Sequence, residues 1–117
     1  MSHFISLSEA EGMTARYRLN REGVLENAYK NRNILPISET FDKAAFERLL
    51  SRPECTYVRI YYGMDEHFKI HAIIVAADEG GKDILPNEQL TDSEEEDIIE
   101  RGNRCPELCP EPSPLNS

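Results

Sequence analysis

Chemistry in this chain would start at two cysteines and two histidines. Cys105 and Cys109 stand four apart inside a proline-rich terminus. A turn there brings two sulfurs within bonding range, so one reading is a redox pair. The spacing is not the C-x-x-C that precedes a helix in thioredoxin-type sites, and two plain thiols in an extended tail are the other reading. His67-x3-His71 adds two imidazoles upstream. With Cys105 and Cys109 they make four zinc-type ligands, Cys55 and His3 being substitutes. Strand geometry opposes that set, because residues four apart on a strand are separated by roughly 13 Å at about 3.3 Å per residue. His67 and His71 can share an ion only if His67 curls back in a turn. The expectation is therefore no cofactor, with zinc as the alternative and Cys55, His71, Cys105 and Cys109 as its candidate ligands. Otherwise His71 reads as a half-exposed sheet residue.

Asp65, Glu66 and His67 sit beside Tyr61 and Tyr62 and resemble acid–base groups. Such catalysis needs a pocket that perturbs a pKa, and a polar turn in water supplies none. The chain contains no G-x-S-x-G, no phosphate-cradling glycine loop and no H-E-x-x-H. No catalytic residue is assigned, and an enzyme would need a concave pocket beside His71 and the tyrosines. Arg16, Arg18, Arg21, Lys30 and Arg32 make the N-terminal region basic, diluted by Glu22 and Glu26. They read as the solvated face of an amphipathic helix, with binding of a nucleic acid or an acidic partner surface as the alternative. The run Asp92 to Asp97 either docks on a basic partner or simply solubilises the chain. Prolines 106, 110, 112 and 114 never fall three apart, so the P-x-x-P register of proline-recognition grooves is missing.

The elements that must position these residues follow from spacing. Ser6 with Glu9, or Ser8 with Glu11, forms a capping box. Behind it Ala10, Met13, Tyr17, Val24 and Ala28 share a helical face, predicting one helix over 8–30 or two broken near Gly23. Residues 33–41 are apolar around Pro36, which suits an extended edge segment. Asp42 to Leu50 reads as a short helix ended at Pro53. Thr56 to Tyr62 is β-branched and aromatic, and Phe68 to Ala77 nearly as rich, with residues 63–67 as a hairpin connection. Val58, Ile60 and Tyr62 share one face, and Tyr57, Arg59 and Tyr61 the other. The second run is apolar on both faces and belongs centrally in the sheet, with Ile84-Leu85 as a short third strand. Thr91-Asp92-Ser93-Glu94 opens a short acidic helix over about 92–101, and the proline-rich remainder is extended.

A chain of 117 residues fits one domain. Charge divides unevenly: residues 1–52 hold eight basic and seven acidic side chains, residues 53–117 five and fifteen. The resulting −9 argues against non-specific nucleic-acid binding, which depends on phosphate neutralisation. No run approaches the ~20 apolar residues of a membrane span. The opening residues lack a secretory pattern, and three cysteines without an export signal predict the cytoplasm.

The segments Ile34-Leu-Pro-Ile-Ser-Glu-Thr-Phe41, Arg59-Ile-Tyr-Tyr-Gly-Met-Asp-Glu66 and Arg104-Cys-Pro, with Cys109-Pro and Pro112-Ser-Pro-Leu-Asn116, resemble a group of small bacterial proteins of uncharacterised activity. The Cys/Pro tail is the most distinctive part. The resemblance implies a bacterial cytoplasmic protein and supplies no functional residues.

The sequence thus predicts an α+β fold, with N-terminal helices on a small antiparallel hairpin or meander over 1–90. A short acidic helix at 91–102 and a Cys/Pro-rich extended tail at 103–117 follow. The predicted function is a non-enzymatic interaction module whose tail or sheet edge engages a protein partner or a second copy, without nucleic acid or membrane. The tail candidates are Cys105, Pro106, Cys109, Pro110, Pro112, Pro114 and Leu115. A thiol or metal switch on Cys105 and Cys109, and a small enzyme with a pocket near His71, are the alternatives.

Overall fold

The computed structural model describes residues 2–86 and 98–116, and the fold is α+β. Helix α1 spans Leu7–Asn20 and is capped by Ser6, whose side chain accepts from the Glu9 N–H. The cap follows the earlier of the two Ser–Glu pairs, and the helix stops well short of residue 30. Residues 21–25 are turns, and Asn27–Tyr29 makes one 3₁₀ turn. The expected apolar stripe does not reach the core: no α1 residue is buried, and Met13 and Val24 are exposed. α1 instead joins the body through polar bonds. Tyr17 donates its hydroxyl to Pro36 O at 2.6 Å, and Arg21 Nε donates to Leu35 O at 2.9 Å. Burial pushes the Tyr17 phenol above its ordinary pKa.

Strand β1 is Ser38–Thr40, helix α2 is Lys43–Leu50, and strands β2 (Tyr57–Met64) and β3 (Ile70–Ala77) form the expected hairpin. Strand β4 is Asp83–Ile84, within one residue of the predicted third strand. Ile98–Ile99 forms strand β5, and Asn103–Cys105 forms strand β6. These last two correct the sequence reading. Most of the predicted acidic helix lies outside the described residues, but its apolar pair Ile98–Ile99 is a strand on β3. β-branched residues pack well on a half-buried pleat, and Ile99 is buried against Ile74, Ala76 and Leu49. The segment after it is not a loose tail either, since β6 pairs antiparallel with β1, setting Cys105 opposite Ser38 and Arg104 opposite Glu39.

The core is Leu49, Ile74, Ala76 and Ile99, with Phe41, Phe46 and Ala72 packed around it. α2 supplies Leu49, its apolar side facing the sheet as a 3.6-residue period requires. β3 is the central strand, with its last four residues buried.

The hydrogen bonds of β3 divide by parity. Its even residues point away from β2: Ile70 N–H donates to Ile34 O, and Ala72 N–H to Glu39 Oε1. Beyond them, β5 pairs at Ile74–Val75 and β4 at Ala76–Ala77. Neighbouring antiparallel residues alternate between the two sides of a strand. The register sets Tyr61 opposite Ile73 and Gly63 opposite His71, so the odd residues make the β2–β3 ladder. The N–H and C=O groups of Val58, Ile60, Tyr62 and Met64 therefore face outward, along an edge that pairs with nothing among the described residues.

Candidate functional site

The hairpin turn organises the first site. Asp65 accepts with Oδ1 from the His67 and Lys69 N–H groups, at 2.8 and 3.1 Å, while its own N–H donates to Lys69 O. Phe68 takes the left-handed conformation, φ 67°, that the bulge after such a turn requires. The other carboxylate oxygen, Oδ2, lies 2.7 Å from His71 Nε2. Asp65 is thus no idle turn residue. It orients an imidazole, and the His71 bond together with two backbone donors lowers its pKa to about 2.

His71 is more covered than a half-exposed sheet residue, with 19 % of its side chain accessible. Its Nδ1 faces Glu100, Oε1 lying 3.2 Å away, and Glu39 stands beside it. The reacting atoms of Glu39, His71 and Glu100 all lie within 4.8 Å of one another. β1 delivers Glu39, β3 delivers His71, and the residue after β5 is Glu100. Gly102 is needed just beyond, because a Cβ there would meet the Phe41 ring at 2.7 Å. A cavity of about 350 Å³ opens against the group, lined by Gly63, Met64, Asp65, His71, Ile73, Glu100 and Arg101.

The predicted ligand set Cys55, His71, Cys105 and Cys109 does not form. Cys105 and Cys109 are bonded to each other in a disulfide, with Cα atoms 4.5 Å apart, so neither presents a thiolate. Cys55 is a free thiol facing Tyr57 O at 3.5 Å. His67 is held in the turn by its backbone, and His3 is exposed near the N-terminus. Neither Glu39 nor Glu100 was picked out by sequence. Glu39 had a signal, being the lone acid in the apolar stretch 34–41. Glu100 had none, since it follows an acidic run and the Ile98–Ile99 pair as one more acid.

The tail candidates are also tied down. Cys105 is buried, Leu108 N–H donates to Arg104 O at 2.8 Å, and Arg18 Nη1 donates to Leu115 O at 2.5 Å. Asn116 closes a turn on Ser113 and Glu111. Pro110, Pro112 and Pro114 remain on the surface.

The second candidate site is the β2 edge. Tyr57, Val58, Ile60, Tyr61, Tyr62 and Met64 are all exposed, Tyr62 at 79 %. α2 covers the β3 half of its face and leaves Val58, Ile60 and Tyr62 open. On the other face Asp83 accepts from both Arg59 Nη1 and the Tyr61 hydroxyl. The phenol bond holds the Asp83 carboxyl below its ordinary range, and the same bond raises the Tyr61 pKa. A third feature, an apolar cavity of about 390 Å³, lies under Tyr29 and Phe68. The two rings meet edge to face at 5.6 Å beneath the Arg32 guanidinium.

No family model, no curated protein and no solved structure matches this chain, so its functional reading rests on its own residues. No helix among the described residues is long and apolar enough to cross a membrane.

Proposed function

We propose that this chain is a non-enzymatic interaction module whose β2 edge accepts a strand from a second copy of itself. One observation carries the reading: along β2 the outward backbone groups of Val58, Ile60, Tyr62 and Met64 are unpaired among the described residues and these four side chains are exposed, while the far side of β3 is closed along its length. Long, flat, apolar edges invite strand pairing, and native chains usually blunt them. The alternative docking element, the tail, is engaged by its own chain, which favours the edge.

Self-pairing suits this edge in particular. An antiparallel pair related by a two-fold at Ile60 sets Val58 opposite Tyr62 of the second copy and Arg59 opposite its Tyr61. All the outward backbone groups of Val58, Ile60 and Tyr62 are then satisfied. Residues 57–64 contain no carboxylate in a chain of net charge −9, and their one cation is held by Asp83. Two acidic chains meet there without like-charge contact.

A thiol switch is the second reading, favoured by the closed Cys105–Cys109 pair at the end of β6. The cytoplasmic, bacterial setting expected from the sequence goes with the dithiol form, since cytosolic reductants open such bonds and oxidising compartments keep them.

The test is the molar mass of the full chain by light scattering on a sizing column, over a range of concentrations. The chain is expected to be a dimer. Ile60→Pro removes an outward N–H without touching the β2–β3 ladder, and Tyr62→Lys places a charge on the seam; both should run as monomers with unchanged circular dichroism. A monomer at every concentration, or variants that stay dimeric, would overturn the proposal.

A further inference from the structure

A different region carries a second, independent assignment. We infer that Glu39, His71 and Glu100 form a binding site for one divalent first-row transition cation, with Asp65 orienting the imidazole.

Asp65 Oδ2 occupies His71 Nε2, which assigns the hydrogen to Nε2 and leaves Nδ1 presenting its lone pair. Nδ1 is shielded from solvent and makes no hydrogen bond among the described residues, although Glu100 Oε1 lies 3.2 Å away. Glu39 accepts from the Ala72 N–H with Oε1 at 2.9 Å, and its Oε2 is shielded with no donor among the described residues. Buried polar atoms in native proteins are satisfied, and an unsatisfied carboxylate oxygen is among the costlier exceptions. Here Glu39 and His71, each with one polar atom shut off from water, bring ligand atoms within 4.8 Å of each other and of Glu100. Arg104 is opposite Glu39 in the β1–β6 register, but its Nη1 and Nη2 donate to the carbonyls of Ile70, Asn33 and Ile34. A metal cation satisfies all three donors together.

The dimensions agree. Zinc-type bonds of about 2.1 Å at tetrahedral angles place ligands of one ion about 3.4 Å apart. The three donor atoms, within 4.8 Å of one another, need to draw in by at most about 1.4 Å. Glu100 lies on the surface and has the freedom to do so. One imidazole with carboxylates selects Zn²⁺, Mn²⁺ or a neighbour in that series over Ca²⁺ and Mg²⁺, which prefer all-oxygen sets. The Asp65–His71 pair is the arrangement that fixes tautomer and ring orientation behind a metal-bound histidine. Three protein ligands leave coordination open toward the 350 Å³ cavity.

The test uses the full chain stripped with chelator and dialysed, titrated with zinc chloride by calorimetry and with manganese chloride by electron paramagnetic resonance. One ion per chain is expected. Glu39→Gln and His71→Asn should each weaken binding by more than about a hundredfold. Asp65→Asn should weaken it by about 10–100-fold, the range for groups that orient a ligand. Glu100→Gln guards against misfolding, since the residue lies on the surface; it should weaken binding at least about tenfold with unchanged circular dichroism. Cys55→Ser should bind as the parent does. No binding of either ion would overturn the assignment, and so would full affinity in the folded Glu100→Gln and Glu39→Gln variants, or loss of binding in Cys55→Ser.

Discussion

Arg104 is the place to test how this fold is held together. Its guanidinium reaches across β6 to three backbone carbonyls: Ile70 O from Nη1, and Asn33 O at 2.8 Å and Ile34 O at 3.4 Å from Nη2. It thereby ties the returning C-terminal segment to the start of β3 and to the loop before β1. Hydrogen bonds with a charged partner contribute about 1.5–3 kcal/mol each. The bonds to Ile70 O and Asn33 O count in full, the one to Ile34 O is long and weak, and water reaches part of the site. Arg104→Ala should therefore cost about 3 kcal/mol. That is a large share of the 5–15 kcal/mol typical of a domain, and near 4 °C per kcal/mol it lowers Tm by about 12 °C. Arg104→Lys is the sharper variant. It keeps the charge but replaces a planar fork with a single ammonium, which cannot serve Ile70 O and Asn33 O together; about 2 kcal/mol should still be lost. The assay is urea unfolding followed by circular dichroism, with the denaturant slope checked for constancy. Loss of under 0.5 kcal/mol in Arg104→Ala is what an ordinary surface residue gives, and it would refute the clasp. A lysine variant as stable as the parent would show that charge alone matters.

Two further outcomes follow from the same geometry. Asp83 has its pKa lowered by the Tyr61 hydroxyl and Arg59 from an ordinary value of 3.8, so its contribution is present above about pH 4 and is lost as pH falls through the lower folded value. Asp83→Asn should flatten the acid limb of the stability curve, leaving the part due to Asp65; an unchanged limb would contradict the assigned bonds. The cystine closes a loop with a sequence separation of four, for which chain entropy gives about 2 kcal/mol. Cys109→Ser, or mild reductant, should lower stability by about that amount; a Tm indifferent to both would rule out a closed bond.

The hairpin was legible because its signal is local. Residues 56–62 and 68–77 are β-branched and aromatic, and α2 carries its apolar side at helical spacing, so local preference and packing agree. α1 was readable as a helix but not in extent or role. Its periodic apolar residues implied a buried face, whereas Tyr17 and Arg21 anchor it by bonds to carbonyls of residues 35–36, which no periodicity encodes. Ile98–Ile99 was misassigned because two adjacent isoleucines after an acidic run fit a helix locally. The missing information was non-local, the open far edge of β3 beside Ile74 and Val75.

The same non-locality explains why the carboxylate–histidine group escaped while the cysteine pair attracted attention. Its members come from three strands or their ends, at positions 39, 71 and 100, and share no motif spacing. Asp65 and His71, six apart across a hairpin turn, are the one pair whose contact local reasoning can reach, and only once the turn geometry is fixed. Glu39 arrives through the β1–β6 pairing, and that pairing exists because the terminal segment folds back under Arg104 with Cys105 buried at its end. Glu100 arrives on the same segment, held by Ile99 in the core. The Cys/Pro tail therefore does more than the exposed peptide its composition suggests: through β6 it holds β1, which carries Glu39, beside the segment that carries Glu100. On this reading, weakening the clasp at Arg104 or the cystine should loosen the Glu39–His71–Glu100 group before it disturbs the β2 edge, whose register depends on β3 alone.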